Sequence, residues 1–135
     1  MLPTSFKLEI ATPDRLMVSA NVTMAEVPGE GGYLGILPGH APLLSALQPG
    51  VISYGHDGRT DRLVVTWGYV EVLPTHVTVL AEAAEKVEEV DVARAEKALQ
   101  RALDRLKSSS LDVDVARAQA AVSRATARLH VVGKV

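Results

Sequence analysis

Apolar and polar residues alternate over the first two-thirds of the chain, and after about residue 90 the spacing changes to that of a helix. Phe6, Leu8 and Ile10 alternate with Lys7 and Glu9, the period-2 pattern of a strand with one face in a core. Val22 and Met24 continue it. Leu63, Val65 and Trp67 repeat it, as do Val70 with Val72 and Val77 with Val79. Turn formers separate these runs: Thr12-Pro13-Asp14, Pro28 to Gly32, Pro49-Gly50, His56-Asp57-Gly58 and Pro74-Thr75-His76. His56-Asp57-Gly58-Arg59 predicts a tight hairpin, because Asp-Gly supplies the positive φ angles such a turn needs. Short strands with a turn about every ten residues predict a β-sandwich or barrel over residues 1–85. Trp67, by its place in an alternating strand, is expected in the core.

Near Glu82 the period shifts. Glu85 to Glu89 reads as an acidic connector with few apolar anchors, and residues 86–90 are taken as the link between two domains. Asp91 is placed to cap a helix, where its carboxylate satisfies free N–H groups for about 1 kcal/mol. Val92, Ala95, Leu99, Ala102 and Leu106 then follow at spacings of three and four, a narrow apolar seam. Lys107-Ser108-Ser109-Ser110 breaks it. A second helix starts at Asp112 or Asp114 and runs to Leu129, before Gly133. A short link makes the two helices antiparallel neighbours. The expected fold is therefore α+β, mainly β: a sandwich followed by a helical hairpin over residues 91–135. A seam so rich in alanine packs closely but weakly, so attachment to the sandwich is expected to be reversible.

The two helices match. Asp91-Val92-Ala93-Arg94-Ala95 returns letter for letter as Asp114-Val115-Ala116-Arg117-Ala118, and Arg101 and Arg105 fall on Arg124 and Arg128. At about 100° per residue, the three arginines of each helix lie within roughly 40° of one another. They sit about 120° from the seam, flanking the contact instead of entering it. A local two-fold axis then sets both stripes on one side of the pair. Six like charges repel unless a partner offsets them, and guanidinium forks suit phosphate or carboxylate.

Charge is divided the same way. Residues 1–90 carry five Lys/Arg against eleven Asp/Glu, and residues 91–135 carry nine against five. The basic end thus favours an acidic partner or a phosphate. Nucleic acid is a poor fit, since residues 91–135 contain no aromatic side chain for stacking. Gly29-Glu30-Gly31-Gly32 lacks the Gly-Lys-Ser/Thr of a phosphate-cradling loop. The chain has no cysteine, and His40, His56, His76 and His130 are dispersed, so no metal site is expected. No nucleophile, base and acid can be grouped, and no catalytic residue is assigned. The chain has neither a secretory pattern nor an apolar run long enough to span a bilayer, so any membrane role would be peripheral.

Two passages carry a family likeness. Gly32-Tyr33-Leu34-Gly35-Ile36-Leu37-Pro38-Gly39-His40-Ala41-Pro42-Leu43-Leu44 and Pro49-Gly50-Val51 resemble the ε subunit of F-type ATP synthase. Trp67 to Val72 and Val77 to Glu82 resemble that family's next two strands. The acidic connector, the paired Asp-x-x-Arg-Ala starts and the serine-rich bend match as well, so the likeness covers roughly residues 5 to 130. It implies a non-catalytic central-stalk subunit whose sandwich binds the γ subunit and the ring of c subunits. It implies a place on the cytoplasmic face of the cell membrane, with no insertion into it. The loop from Gly29 to His40 corresponds to the part that reaches the ring, which makes Glu30, Tyr33 and His40 contact candidates. The hairpin would extend into the catalytic α/β hexamer and inhibit hydrolysis. In some bacterial members the folded hairpin binds ATP, as a regulatory ligand and not an obligatory cofactor. Here Asp91, Arg94 and Ala95 match that motif, with Val90 where the family has Ile or Leu, and Arg101, Arg117, Arg124 and Arg128 match the accompanying arginines. The alternative reading is a stand-alone ATP-sensing module without a rotary partner.

Overall fold

In the computed structural model, which describes residues 2–108 and 110–134, the alternating runs form strands with most of their apolar residues facing inward. Phe6, Leu8 and Ile10 of β1 (Phe6–Ala11) are buried. The chain continues through β2 (Leu16–Val22), β3 (Met24–Gly29), β4 (Gly32–Ile36), β5 (Leu43–Leu47) and β6 (Gly50–His56). It then forms β7 (Arg59–Val65), β8 (Gly68–Val72), β9 (His76–Ala81) and the short β10 (Ala84–Lys86). The strands hydrogen-bond in the order β10-β7-β6-β3-β5-β8-β9-β1-β2, and β4 pairs with β3. β3 bonds β6 through Met24–Glu26 and β5 through Gly29, so the sheet turns its corner there. All pairings are antiparallel except β1 with β9. The two layers enclose one aliphatic core that includes Leu8, Val27, Ile52, Leu63, Val70 and Val79. The expected sandwich with its C-terminal hairpin is what forms. At the predicted hairpin turn Asp57 (φ 51°) and Gly58 (φ 74°) both have positive φ, as a twist-matched two-residue turn requires.

The tail folds into α1 (Val92–Lys107) and α2 (Val115–Val131). Asp91 caps the first by accepting from the Arg94 N–H at 3.1 Å, and Asp114 caps the second by accepting from the Arg117 N–H at 3.0 Å. Asp114, not Asp112, is therefore the second start. Of the serine-rich bend, Ser109 lies outside the described residues. The two helices pack together, and Ala95 and Ala102 of the first and Ala118, Ala125 and Leu129 of the second are buried on the expected seam positions. Val115 departs from it: at the open tip of the hairpin it is 52% exposed.

Three features were not foreseen. The first is how the hairpin sits. α2 has a second apolar side, Ala127 and Val131, which covers Val51 of β6 and Val64 of β7. Those two valines pair across the strands on the outer face, opposite to inward Ile52, Leu63 and Val65. The second is the acidic stretch, which is built and not a loose link. β10 pairs with β7, Val87–Glu89 forms a 3-10 turn, and Val87 and Val90 pack on the hairpin's seat. The third is Trp67, which is half-buried and belongs to neither core cluster. The sheet order explains it: Trp67 falls between β7 and β8, where the chain leaves one layer for the other.

Candidate functional site

Antiparallel packing sets the start of α1 beside the end of α2, and a cleft of about 530 Å³ opens there between hairpin and connector. Arg94 and Arg101 of α1 and Arg124 and Arg128 of α2 line it, with Asp91, Ala95 and Ala98. Four of the six arginines, two from each helix, thus share this cleft. Glu85 and Glu89, contributed by the connector, close the cleft. Their part was not anticipated, because nothing in the local pattern tells which way an exposed glutamate points. Glu85 Oε1 accepts from Arg128 Nε at 2.5 Å. The Arg124 guanidinium lies over Trp67, its central carbon 5.6 Å from the ring centre. Among the described residues Arg94 and Arg101 make no ion pair.

Two expected members lie elsewhere. Arg117 is at the far end of the hairpin, where it lines a recess of about 260 Å³ with Arg105, Asp112 and Asp114. The same two-fold relation that aligns the stripes pairs the first arginine of one helix with the last of the other, so Arg117 meets Arg105. Val90 turns its side chain to the apolar seat under α2 and not to the cleft.

A family model for the ATP synthase delta/epsilon chain β-sandwich domain matches residues 5–87, and one for that family's long α-helix domain matches residues 88–133. The chain belongs to the ATP synthase delta/epsilon chain family. Relatives named ATP synthase epsilon chain match end to end. That of Bacillus subtilis is 51% identical over 95% of this chain and 97% of its own. That of Desulforudis audaxviator is 48% identical over 100% and 98%. Among solved structures, the Euglena gracilis mitochondrial ATP synthase, an OSCP/F1/c-ring assembly, contains a chain of the same fold. Its TM-score is 0.85 at 22% identity, covering 96% of this chain and 82% of that one.

The three contact candidates lie at different places on the sandwich. Glu30 is exposed in the β3–β4 turn, its N–H bonded to the Ala46 carbonyl near one end of β5. Tyr33 lies beside the hairpin, its hydroxyl accepting from the Val51 N–H at 3.0 Å. His40 is at the opposite end of β5, next to Gly39, whose N–H bonds Pro74. A larger apolar surface lies on the outer face of β5, β8 and β9. Leu44 (70% exposed), Tyr69 (62%) and Leu80 (57%) stand there. Beside them runs an open groove of about 620 Å³ lined by Ala11, Pro13, Ala46, Trp67, Tyr69 and Leu80. Sequence reading passed over it, although Leu44, Tyr69 and Leu80 occupy the outward positions of otherwise regular strands.

The connector is pinned by Glu89. Its Oε1 accepts from the Lys86 N–H at 2.8 Å and its Oε2 from Arg15 at 2.7 Å. The Arg15 hydrogen bond, then the Lys86 N–H, hold this carboxyl below its ordinary range. A carboxyl depressed in the folded state adds stability above its unfolded pKa and loses it as pH falls through the folded value. Acidification below the usual glutamate range, about 4.3, is therefore expected to release Lys86 and Arg15. Amide exchange at Lys86 across an acid titration checks this; protection that persists after Glu89 is protonated would refute the pin.

Proposed function

We propose that the chain is the ε subunit of a rotary ATP synthase: a non-catalytic part of the central stalk that turns with it and restrains ATP hydrolysis. The observation that carries this reading is the convergence of four arginines from both helices on one cleft beside the hinge of the hairpin. Three of them, Arg94, Arg101 and Arg124, have no carboxylate partner among the described residues, and clustered cations raise the energy of the docked hairpin until an anion arrives. The residues fit a nucleoside triphosphate. The volume is within the range of small-ligand sites, arginine forks suit phosphate oxygens, and Glu85 and Asp91 can accept from hydroxyl or amino groups at the connector end.

Magnitudes support a switch. The hairpin's seat is small, chiefly Val51, Val64, Ala127 and Val131, and each buried valine contributes about 1.5–3 kcal/mol before ordering costs. A ligand at a hundred times its dissociation constant adds about 2.7 kcal/mol to the state that binds it, enough to decide a balance of that size. ATP then keeps the hairpin folded. When ATP is scarce the hairpin leaves, extends into the α/β hexamer and offers its basic stripes to acidic segments there. The exposed face of Leu44, Tyr69 and Leu80 supports docking on the γ subunit, since an apolar surface of that kind marks a partner site. The c ring is the second rotor partner. No described helix is long and apolar enough to cross a membrane, and the place assigned is peripheral, on the cytoplasmic face. End-to-end likeness to epsilon chains favours this over a stand-alone ATP sensor.

The test is hydrolysis by the reconstituted complex carrying the full chain or one ending at Val90. Faster hydrolysis with the shortened chain is expected, with γ still bound. Equal rates would leave the hairpin without an inhibitory role.

A further inference from the structure

Trp67 is the chain's one tryptophan, and it stands where the sandwich, the hairpin and the outer groove meet. Its backbone is clamped on both sides. The Glu82 N–H donates to its carbonyl at 2.7 Å, and the Thr66 N–H donates to the Ala83 carbonyl at 3.0 Å. The Thr66 hydroxyl in turn accepts from the Ala83 N–H at 3.0 Å. On the other side Gly68 presses so closely on the Leu80 carbonyl that a side chain there would overlap it. The half-buried indole is therefore carried on a backbone fixed on both sides. It helps line the apolar groove with Tyr69 and Leu80, and the Arg124 guanidinium lies over it at 5.6 Å.

That distance is within the reach of a cation–π contact, which is strongest for tryptophan. Arg124 belongs to the cleft and makes no ion pair among the described residues. A cation–π contact engages the guanidinium's charge and consumes none of its five N–H donors, which remain able to meet an oxygen ligand. Stacking and anion binding are then compatible, and the first prepares the second. The contact joins α2 to the β7–β8 junction, three residues past Val64 in the sandwich and about one helical turn before Ala127 in α2, so it borders the valine seat and adds a second point of attachment beside it.

We propose that Trp67 is a positioning residue: it seats the hairpin on the sandwich through Arg124 and holds that arginine's fork toward the cleft. The proposal rests on the reading of the hairpin as a releasable element, but its first test needs no nucleotide. Hydrogen exchange in the full chain reports opening of α1 and α2 separately from unfolding of the sandwich. Trp67→Leu is expected to speed exchange in the helices about two- to five-fold, with the strands of the sandwich unchanged. Trp67→Phe should restore part of the protection, and Trp67→Leu placed on Arg124→Ala should add nothing to the single change. Because there is one tryptophan, Arg124→Ala should also move the indole emission directly. Should Trp67→Leu fail to fold, Arg124→Ala and Trp67→Phe carry the same comparison.

A calorimetric titration with ATP forms the second arm, with Trp67→Leu expected to weaken binding about two- to five-fold. If the native chain binds ATP while Trp67→Leu leaves both exchange and affinity unaltered, the positioning role is overturned and the nucleotide reading stands. If the native chain does not bind ATP but the exchange effect is present, the nucleotide reading falls and the seat remains. If the helices exchange only with global unfolding, the releasable hairpin and its seat are both wrong.

Discussion

Replacing Arg94 and Arg101 together by alanine is expected to weaken ATP binding by about a hundredfold or more. Both line the cleft, and neither has an ionic partner among the described residues, so their full capacity is available to phosphate. A hydrogen bond to a charged group contributes about 1.5–3 kcal/mol, and two such losses exceed the roughly 2.7 kcal/mol that a hundredfold represents. Lysine at both positions should recover only part, because it keeps the charge and loses the fork. Arg105→Ala and Arg117→Ala serve as controls, since those arginines share the recess at the hairpin tip and should change affinity less than about threefold. Without nucleotide the double variant should dock its hairpin more firmly than the native chain, as two repelling cations are gone. Calorimetry with ATP and hairpin amide exchange read the two effects. Unchanged affinity would remove the cleft as the nucleotide site.

Gly68→Ala is expected to cost about 3 kcal/mol or more, at the upper end for single substitutions. Gly68 pairs with Leu47 on one side and Ala81 on the other, at the junction where β8 joins its neighbours. A Cβ there would overlap the Leu80 carbonyl and approach the Ala81 Cα to 2.9 Å, and both are backbone atoms that cannot turn aside. Relief requires parting β8 from β9 beneath the apolar face and shifting Trp67 next door. A melting temperature about 10 °C lower is the expected reading. Gly35→Ala is the control: nothing lies within 4 Å of its would-be Cβ, and the change should stay within about 0.5 kcal/mol. A melting temperature for Gly68→Ala equal to that of the control would show the strands to be further apart than described.

Period alone determined a good deal of this protein. Phe6, Leu8 and Ile10, or Val77 and Val79, could face only one way in a strand, so the core was written in their spacing. The Asp-x-x-Arg-Ala repeat determined two helices, the cap of the first and the alignment of the arginines along one face of each helix, because helical rotation is nearly the same in every context; the choice of Asp114 over Asp112 for the second cap needed the structure. What period cannot carry is distance between segments. That Arg117 meets Arg105, while Arg94 and Arg101 meet Arg124 and Arg128, follows from the direction of packing. That Glu85 closes the cleft and Trp67 lies beneath Arg124 follows from how the junctions of the sandwich stack against the tail. The seat under α2 was half-visible in the unbroken run Leu63-Val64-Val65, too apolar for a strand wetted on one face. Naming Ala127 and Val131 as its cover needed the fold, since local pattern fixes which way a side chain points and only the closed chain decides what it meets.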